Sequence, residues 1–397
     1  MRTLEDVAGA VGTPFYAYDA DLFRERIARF RAAFDDPPDV CYALKANDAL
    51  ALVAIAAAEG LGADIVSGGE LAKALRAGVL AERVVFSGVG KTRPEISAAL
   101  QAGVRTLNVE SLGELDVIAE EAAALGVVAP VSVRLNPDVE AGTHTYIATG
   151  SAASKFGLGL EYARAAYERA ADHPALEPVG ISFHVGSQLL DTGPVLAAGE
   201  RAAGLWRDLD AAGIRLRDLD AGGGLGIAYD GGEDADVDTY ASALSTLARD
   251  LGARLVLEPG RWLVGPVGTF VTRVLYVKDA PGRRIAICDG GMNDLIRPAL
   301  YGASHPISLL GPERERGTVD VVGPVCESGD FFALGVQLPL PEPGDLLAIG
   351  QAGAYCRVMS SAYNARPLCA EVLREDGAYR VIREPISADT LASTELL

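Results

Sequence analysis

Val40-Cys41-Tyr42-Ala43-Leu44-Lys45-Ala46-Asn47 reads as a buried strand that stops at a charge. An unbroken apolar run of this length suits a strand covered on both faces, as in a parallel sheet. Lys45 ends the run, and it is one of only five lysines among 35 Lys and Arg residues, so its position asks for a reason. A solvated ammonium gains nothing there. A Schiff-base lysine gains a rigid strand end, an apolar wall that lowers its pKa, and an aldehyde partner. The plainer alternative is a lysine snorkelling out of a strand end. The rest of the chain bears on the choice.

Seven further runs of the same kind follow: Ala63–Val66, Val84–Phe86, Thr106–Val109, Val131–Leu135, Gly180–Phe183, Leu216–Leu219 and Leu255–Leu257. Between most of them lie stretches with helical spacing, such as Leu115, Ile118, Ala119, Ala122 and Leu125. Glycines follow these stretches at 60, 78, 103, 126, 213 and 252, where a left-handed residue lets the last carbonyls be capped. Eight strands alternating with helices predict an α/β protein with a (β/α)8 barrel. A longer Thr/Gly/Ser-rich connection, from Pro137 to Phe156, separates the fifth strand from the sixth.

After Gly265 the texture changes to short β-branched runs broken by Pro and Gly: Thr269–Val277, Arg284–Cys288, Thr318–Val322, Leu346–Ile349, Glu371–Leu373 and Tyr379–Ile382. Pro14-Phe15-Tyr16-Ala17-Tyr18 reads as a strand preceding the barrel. The expected organisation is a barrel over residues 19–264, with 1–18 and 265–397 forming a mainly β second domain.

Composition narrows the function. The length of 397 residues suits two domains, and 49% hydrophobic content with 45 glycines describes a globular chain. A formal net charge of -19 argues against nucleic acid or an anionic membrane as partner. Five cysteines without a C-x-x-C pair, and His144, His173, His184 and His305 scattered along the chain, offer no metal-site spacing. Free thiols, no export signal near Met1 and no run of membrane-spanning length predict a cytoplasmic protein.

In such a barrel, chemistry sits at the C-terminal ends of the strands. Those ends carry Lys45, Asp64 with Ser67, Ser87, Glu110, Arg134, His184, Gly222-Gly223-Gly224 and Glu258-Pro259-Gly260-Arg261. The glycine run could be a tight turn or a set of backbone N–H groups converging on a phosphate, and Arg261 favours the second. Glu258 could face a pyridine nitrogen or pair with Arg261 or Arg134. His184 could be structural, catalytic, or a ring stacked on a flat cofactor. In the second domain, Cys326 and Glu327 stand side by side in a polar turn, where a thiol can donate a proton or simply lie inert. Arg297, in Asn293-Asp294-Leu295-Ile296-Arg297-Pro298-Ala299-Leu300-Tyr301, suits bidentate capture of a carboxylate or is a surface residue. Tyr355 is a core aromatic or a phosphate ligand.

Taken together, Tyr42-Ala43-Leu44-Lys45-Ala46-Asn47, His184-Val185-Gly186-Ser187, the glycine run, Glu258-Pro259-Gly260-Arg261, Cys326-Glu327-Ser328-Gly329-Asp330 and Tyr355 resemble the pyridoxal-phosphate decarboxylases with an alanine-racemase-type barrel. Within them the likeness is greatest to the diaminopimelate decarboxylases, and it runs from about residue 12 to about 375. The resemblance implies pyridoxal 5′-phosphate as cofactor, carried by Lys45, with Glu258 facing the ring nitrogen and His184 stacked on the ring. It implies Asp64, Ser187, Gly223, Gly224, Gly260, Arg261 and Tyr355 as further cofactor-binding residues, with Arg261 and Tyr355 also near the substrate. Cys326 would return a proton to the α-carbon, and Arg297, Tyr301 and Glu327 would recognise the distal amino-acid end of the substrate. Diamine-forming relatives have aspartate at the position of Glu327 and lack the arginine matching Arg297. Ser304 departs from the family, which usually carries a bulky aromatic there. The resemblance also implies a homodimer with shared sites. The competing readings are a decarboxylase of ornithine, arginine or lysine, one acting on a carrier-bound amino acid, and a non-catalytic pyridoxal-phosphate-binding regulator.

Overall fold

The computed structural model describes residues 1–139 and 155–396. Residues 140–154, which include His144 and most of the Thr/Gly/Ser-rich connection, lie outside the described residues, as does residue 397. The chain divides into two compact units, one of residues 26–227 and 234–262, the other of residues 1–25, 228–233 and 263–397.

Strand β1 (Phe15–Asp19) belongs to the second of these units. The strands β2 (Asp39–Ala43), β3 (Gly62–Ile65), β4 (Val84–Phe86), β5 (Thr106–Val109), β6 (Ala129–Leu135), β7 (Leu176–Phe183), β8 (Asp218–Asp220) and β9 (Arg254–Leu257) make the other. They pair in parallel in chain order, and β2 closes the barrel on β9 through Asp39↔Val256 and Val40↔Leu257. Each of the eight apolar runs overlaps one of these strands. The crossover helices are set by local chemistry. Ser67 and Ser111 accept from the backbone N–H of Glu70 and Glu114, satisfying donors that a helix start leaves open. Gly103 and Gly126 stop their helices at φ 73° and 68°, a conformation that costs other residues a Cβ clash.

Side chains alternate along a strand with a period of two, so one inward position fixes the rest. Cys41, Val85 and Val256 form an apolar cluster. Stepping two residues from each toward the C-terminal end reaches Ala43 and then Lys45, Ser87, and Glu258. At the opposite end, Arg105 pairs with Asp39 at 2.7 Å and Asp218 at 3.3 Å, and Arg254 pairs with Asp218 at 2.7 Å.

The remaining strands are β10 (Gly268–Ala280), β11 (Arg283–Cys288), β12 (Ile307–Leu310), β13 (Arg316–Val322), β14 (Phe331–Pro339), β15 (Leu346–Ile349), β16 (Ala370–Glu375) and β17 (Ala378–Arg383). With β1 they form a nine-stranded sheet among the described residues, in the order β14-β13-β11-β10-β1-β16-β17, with β15 bridging β10 and β12. β1 runs antiparallel to β10 and parallel to β16, and its Phe15 and Ala17 bury beside Val271, Leu346 and Val372. Strands β12 and β14 are absent from the sequence expectation.

Candidate active site

The C-terminal mouth of the barrel collects the inward row. Lys45, Ser87, Asn108, Arg134, Ser182, His184, Asp220 and Glu258 line one cavity there, together with Phe183. A larger cavity of about 800 Å³ lies elsewhere, lined by Leu135, Pro137, Tyr162, Arg201 and Asp208 and by none of the expected site residues.

Lys45 stands two residues past β2, its Nζ 2.5 Å from Asp64 Oδ2. The sequence suggested an apolar wall around this ammonium; the structure gives it a fully buried carboxylate instead. Asp64 Oδ1 is buried with no hydrogen-bond partner among the described residues. Gly260 holds the turn close to the end of β9, since a Cβ there would come within 2.8 Å of the Ala46 Cβ.

Glu258 does not pair with Arg134 or Arg261. Arg134 is committed to Glu110 at 2.7 Å, and Glu110 also accepts from the Gly157 N–H at 2.8 Å. Arg261 Nη2 donates to Ser187 Oγ at 3.0 Å. Glu258 faces Ser87 Oγ at 3.3 Å and the Asp220 carboxyl. Burial, with the neighbouring Asp220 and Asp64 charges, holds its carboxyl well above the usual carboxylate range. Asp220 is pushed up to about 6, chiefly by burial, although it accepts from the Gly222 N–H at 2.9 Å and from Asn108 Nδ2 at 3.3 Å. Two buried acids side by side cannot both ionise cheaply, so the pair keeps a proton.

His184 accepts at Nδ1 from the Gly223 N–H at 3.3 Å. Desolvation, with Arg134 and Lys45 beside it, pushes its pKa well below the usual imidazole value, so the ring is neutral. The glycine run is required by its packing. A Cβ on Gly223 would sit 2.3 Å from the Glu258 carbonyl oxygen, and one on Gly224, at φ 107°, would sit 2.5 Å from the Gly186 carbonyl oxygen. The backbone is thereby pressed against the loop after β7, and the Gly224 N–H has no protein acceptor among the described residues.

In the β unit, the turn bearing Cys326, Glu327 and Ser328 is exposed. Asp330 shapes it, accepting from the N–H groups of Val325 at 2.6 Å and Met292 at 2.7 Å. The Cys326 N–H donates to Asn364 Oδ1 at 3.0 Å. Tyr355 takes a positive φ of 57° after β15, a conformation uncommon for a residue with a Cβ. Arg297, read in the sequence as a clamp or a surface residue, is 5% exposed and has no carboxylate partner among the described residues. Tyr301 ends the same short helix, and Ser304 is exposed in the loop that follows.

Asn108 lies inside the run Thr106–Val109, and Asp220, the last residue of β8, is hidden in the sequence by the glycine run that follows it. Carrying the two-residue step inward from Glu110 and Gly222 would have found both. His305 had no signal beyond its proximity to Arg297.

A lysine paired with a buried carboxylate at a barrel mouth, a buried acid pair that keeps a proton, a neutral flat imidazole and a glycine backbone pinned beside an arginine together fit pyridoxal phosphate. Comparison with known proteins agrees. Residues 20–265 match the family model described as pyridoxal-dependent decarboxylase, pyridoxal binding domain. The diaminopimelate decarboxylase of Neisseria meningitidis serogroup A is 46% identical, over 98% of this chain and 96% of its own. That of Zymomonas mobilis is 42% identical, over 99% and 94%. The crystal structure of Helicobacter pylori diaminopimelate decarboxylase complexed with L-lysine superposes with a TM-score of 0.96 at 42% identity, covering 99% of both chains. The chain belongs to the pyridoxal-dependent decarboxylases and, among them, to the diaminopimelate decarboxylase family. It is a lyase, and pyridoxal phosphate is its cofactor.

Proposed function

We propose that the chain decarboxylates meso-2,6-diaminopimelate at its D-centre, releasing CO2 and L-lysine, through the residues at the barrel mouth and in the β unit. One observation supports the choice of substrate: Arg297 is a buried guanidinium without a carboxylate partner among the described residues. A buried unpaired charge is costly unless a ligand completes it, and a planar fork matches a carboxylate.

Bound cofactor supplies an electron sink for the pair left behind when the carboxylate departs. Lys45 would hold the cofactor covalently through Nζ, and Asp64 Oδ2, at 2.5 Å, is placed to take the proton that Nζ sheds. Glu258 would pass the proton that burial and Asp220 keep on it to the ring nitrogen and, as a carboxylate, hold it there. His184 would lie against the ring face. Ser187, Gly223, Gly224, Gly260, Arg261 and Tyr355 would hold the phosphate end, with Arg261 and Tyr355 also reaching substrate. Cys326 would deliver the proton that replaces CO2. Arg297, Tyr301 and Glu327 would fix the distal amino-acid end, and so select against substrates lacking a distal carboxylate.

We assign the protein to the cytoplasm and to a homodimer with shared sites. All five cysteines are free, the Cys326 turn is exposed, and among the described residues no helix is long and apolar enough to cross a membrane. Mixing Lys45→Ala and Cys326→Ala subunits, with exchange verified, should restore activity. No recovery would mean that each site is built within one chain.

The test of the activity is to incubate the cofactor-loaded protein separately with meso-diaminopimelate, ornithine, arginine and lysine and to measure CO2. Release from meso-diaminopimelate with equimolar L-lysine is expected. Release from ornithine or arginine, and none from meso-diaminopimelate, would overturn the assignment.

A further inference from the structure

Arg297 opens a helix of only five residues, Arg297–Tyr301, and Gly302 turns the chain away at φ 61°. A single helical turn is not rigid by itself. A guanidinium that must meet a carboxylate squarely therefore needs a mount from outside the helix. Three contacts supply it. Nη1 lies 2.8 Å from His305 Nε2, the guanidinium carbon lies 4.5 Å from the centroid of the Tyr229 ring, and the Tyr229 and His305 rings meet edge to face at 5.2 Å.

The protonation of His305 follows from its other side. Nδ1 is 2.9 Å from the Gly350 carbonyl oxygen, which can only accept, so Nδ1 carries the hydrogen. The neutral ring then presents a lone pair at Nε2, and Arg297 Nη1 donates to it. Gly350 is itself fixed: its N–H donates to the Pro306 oxygen at 2.8 Å, just beyond the pairing of Ile307 with Ile349 in β12 and β15. The imidazole thus connects the arginine to the end of a sheet strand.

The use of Nη1 also decides which edge of the guanidinium stays open. Nε is buried without an acceptor, and Nη2 has no protein acceptor among the described residues. Nε and Nη2 form the side-on fork that matches the two oxygens of a carboxylate.

We propose that His305, with Tyr229, is a positioning residue for substrate recognition, occupying Nη1 of Arg297 so that its Nε–Nη2 fork is held open for the distal carboxylate. This rests on the reading of Arg297 as the distal-carboxylate residue. His305 touches neither cofactor nor reacting atoms; it acts through Arg297 alone.

The test uses the cofactor-loaded enzyme and two ligands differing in one group. L-lysine keeps the distal carboxylate, and cadaverine lacks it. His305→Asn retains a donor toward Gly350 but withdraws the acceptor from Arg297, whereas His305→Gln places an amide oxygen near the lost Nε2. By calorimetry, His305→Asn should weaken L-lysine binding about tenfold, the usual consequence of stranding a buried donor. Cadaverine affinity should stay within about twofold, and His305→Gln should recover most of the L-lysine affinity. Added to Arg297→Ala, His305→Asn should cost L-lysine binding nothing further, since the two act through one contact. Unchanged L-lysine affinity in His305→Asn, or equal loss of both ligands, would overturn the positioning role. Unchanged L-lysine affinity in Arg297→Ala would instead overturn the underlying reading of Arg297.

Discussion

At the N-terminal end of the barrel, Asp39 and Asp218 meet Arg105 and Arg254 within salt-bridge distance. At the C-terminal end, Asp64, Asp220 and Glu258 line the inward row with Lys45, while Arg134 is already taken by Glu110. Both ends draw on inward side chains of the same strands, separated by the Cys41, Val85 and Val256 layer. At one end the charges cancel within the protein. At the other, acids exceed bases, and the surplus is carried as raised carboxyl pKa values and as a buried Asp64 oxygen without a partner. A balanced cluster needs nothing further, whereas an unbalanced one is completed by a ligand. That is the physical content of the rule that such barrels keep stability at one face and chemistry at the other.

Substitutions at the two ends should therefore separate activity from stability. Glu258→Gln should lower kcat by about 10²–10⁴-fold, the range of a lost proton-handling group. It should leave the unfolding free energy of the cofactor-free enzyme unchanged or higher, because a buried acid has been removed. Steady-state kinetics and urea titration read both. Arg105→Ala should do the reverse, costing about 1–3 kcal/mol through its lost contacts to Asp39 and Asp218, which keep Arg254 as partner, while kcat stays near its native value. Equal effects on kcat and stability at both ends would erase the distinction.

A smaller effect should appear in the pH dependence of stability. In the folded cofactor-free enzyme burial pushes Asp220 from 3.8 up to about 6 and, with the Asp220 charge, holds Glu258 well above the usual carboxylate range. The native state therefore binds more protons than the unfolded state from about pH 4 upward, so stability should fall as pH rises through about pH 6. Asp220→Asn should flatten that slope. A slope unchanged by Asp220→Asn would mean that the acid pair does not hold the proton.

Much of this was readable from residue order. The barrel strands are short apolar runs punctuated by capping glycines, and that punctuation survives without any tertiary information. Strands β12 and β14 did not show, because Pro306 and Gly311 flank the first and Gly335 and Pro339 interrupt or end the second. Lys45, His184 and Glu258 were legible because an ionisable side chain at the end of an apolar run is conspicuous. Asn108 was not, because it lies inside the run Thr106–Val109, and Asp220 was not, because the glycines after it draw the eye as the strand end; only the inward register marks both. The brace on Arg297 comes from Tyr229, His305 and Gly350, which are far apart in sequence and share no spacing signal.

The most direct test is to find where the cofactor attaches. Purified enzyme loaded with pyridoxal phosphate, reduced with borohydride and mapped by peptide mass spectrometry should carry the label on Lys45. Lys73 and Lys91, which pair with Asp48 and Glu114, should remain unlabelled, and Lys45→Ala should abolish both label and turnover. A label that persists in Lys45→Ala, or that maps to another lysine in the native enzyme, would contradict the account.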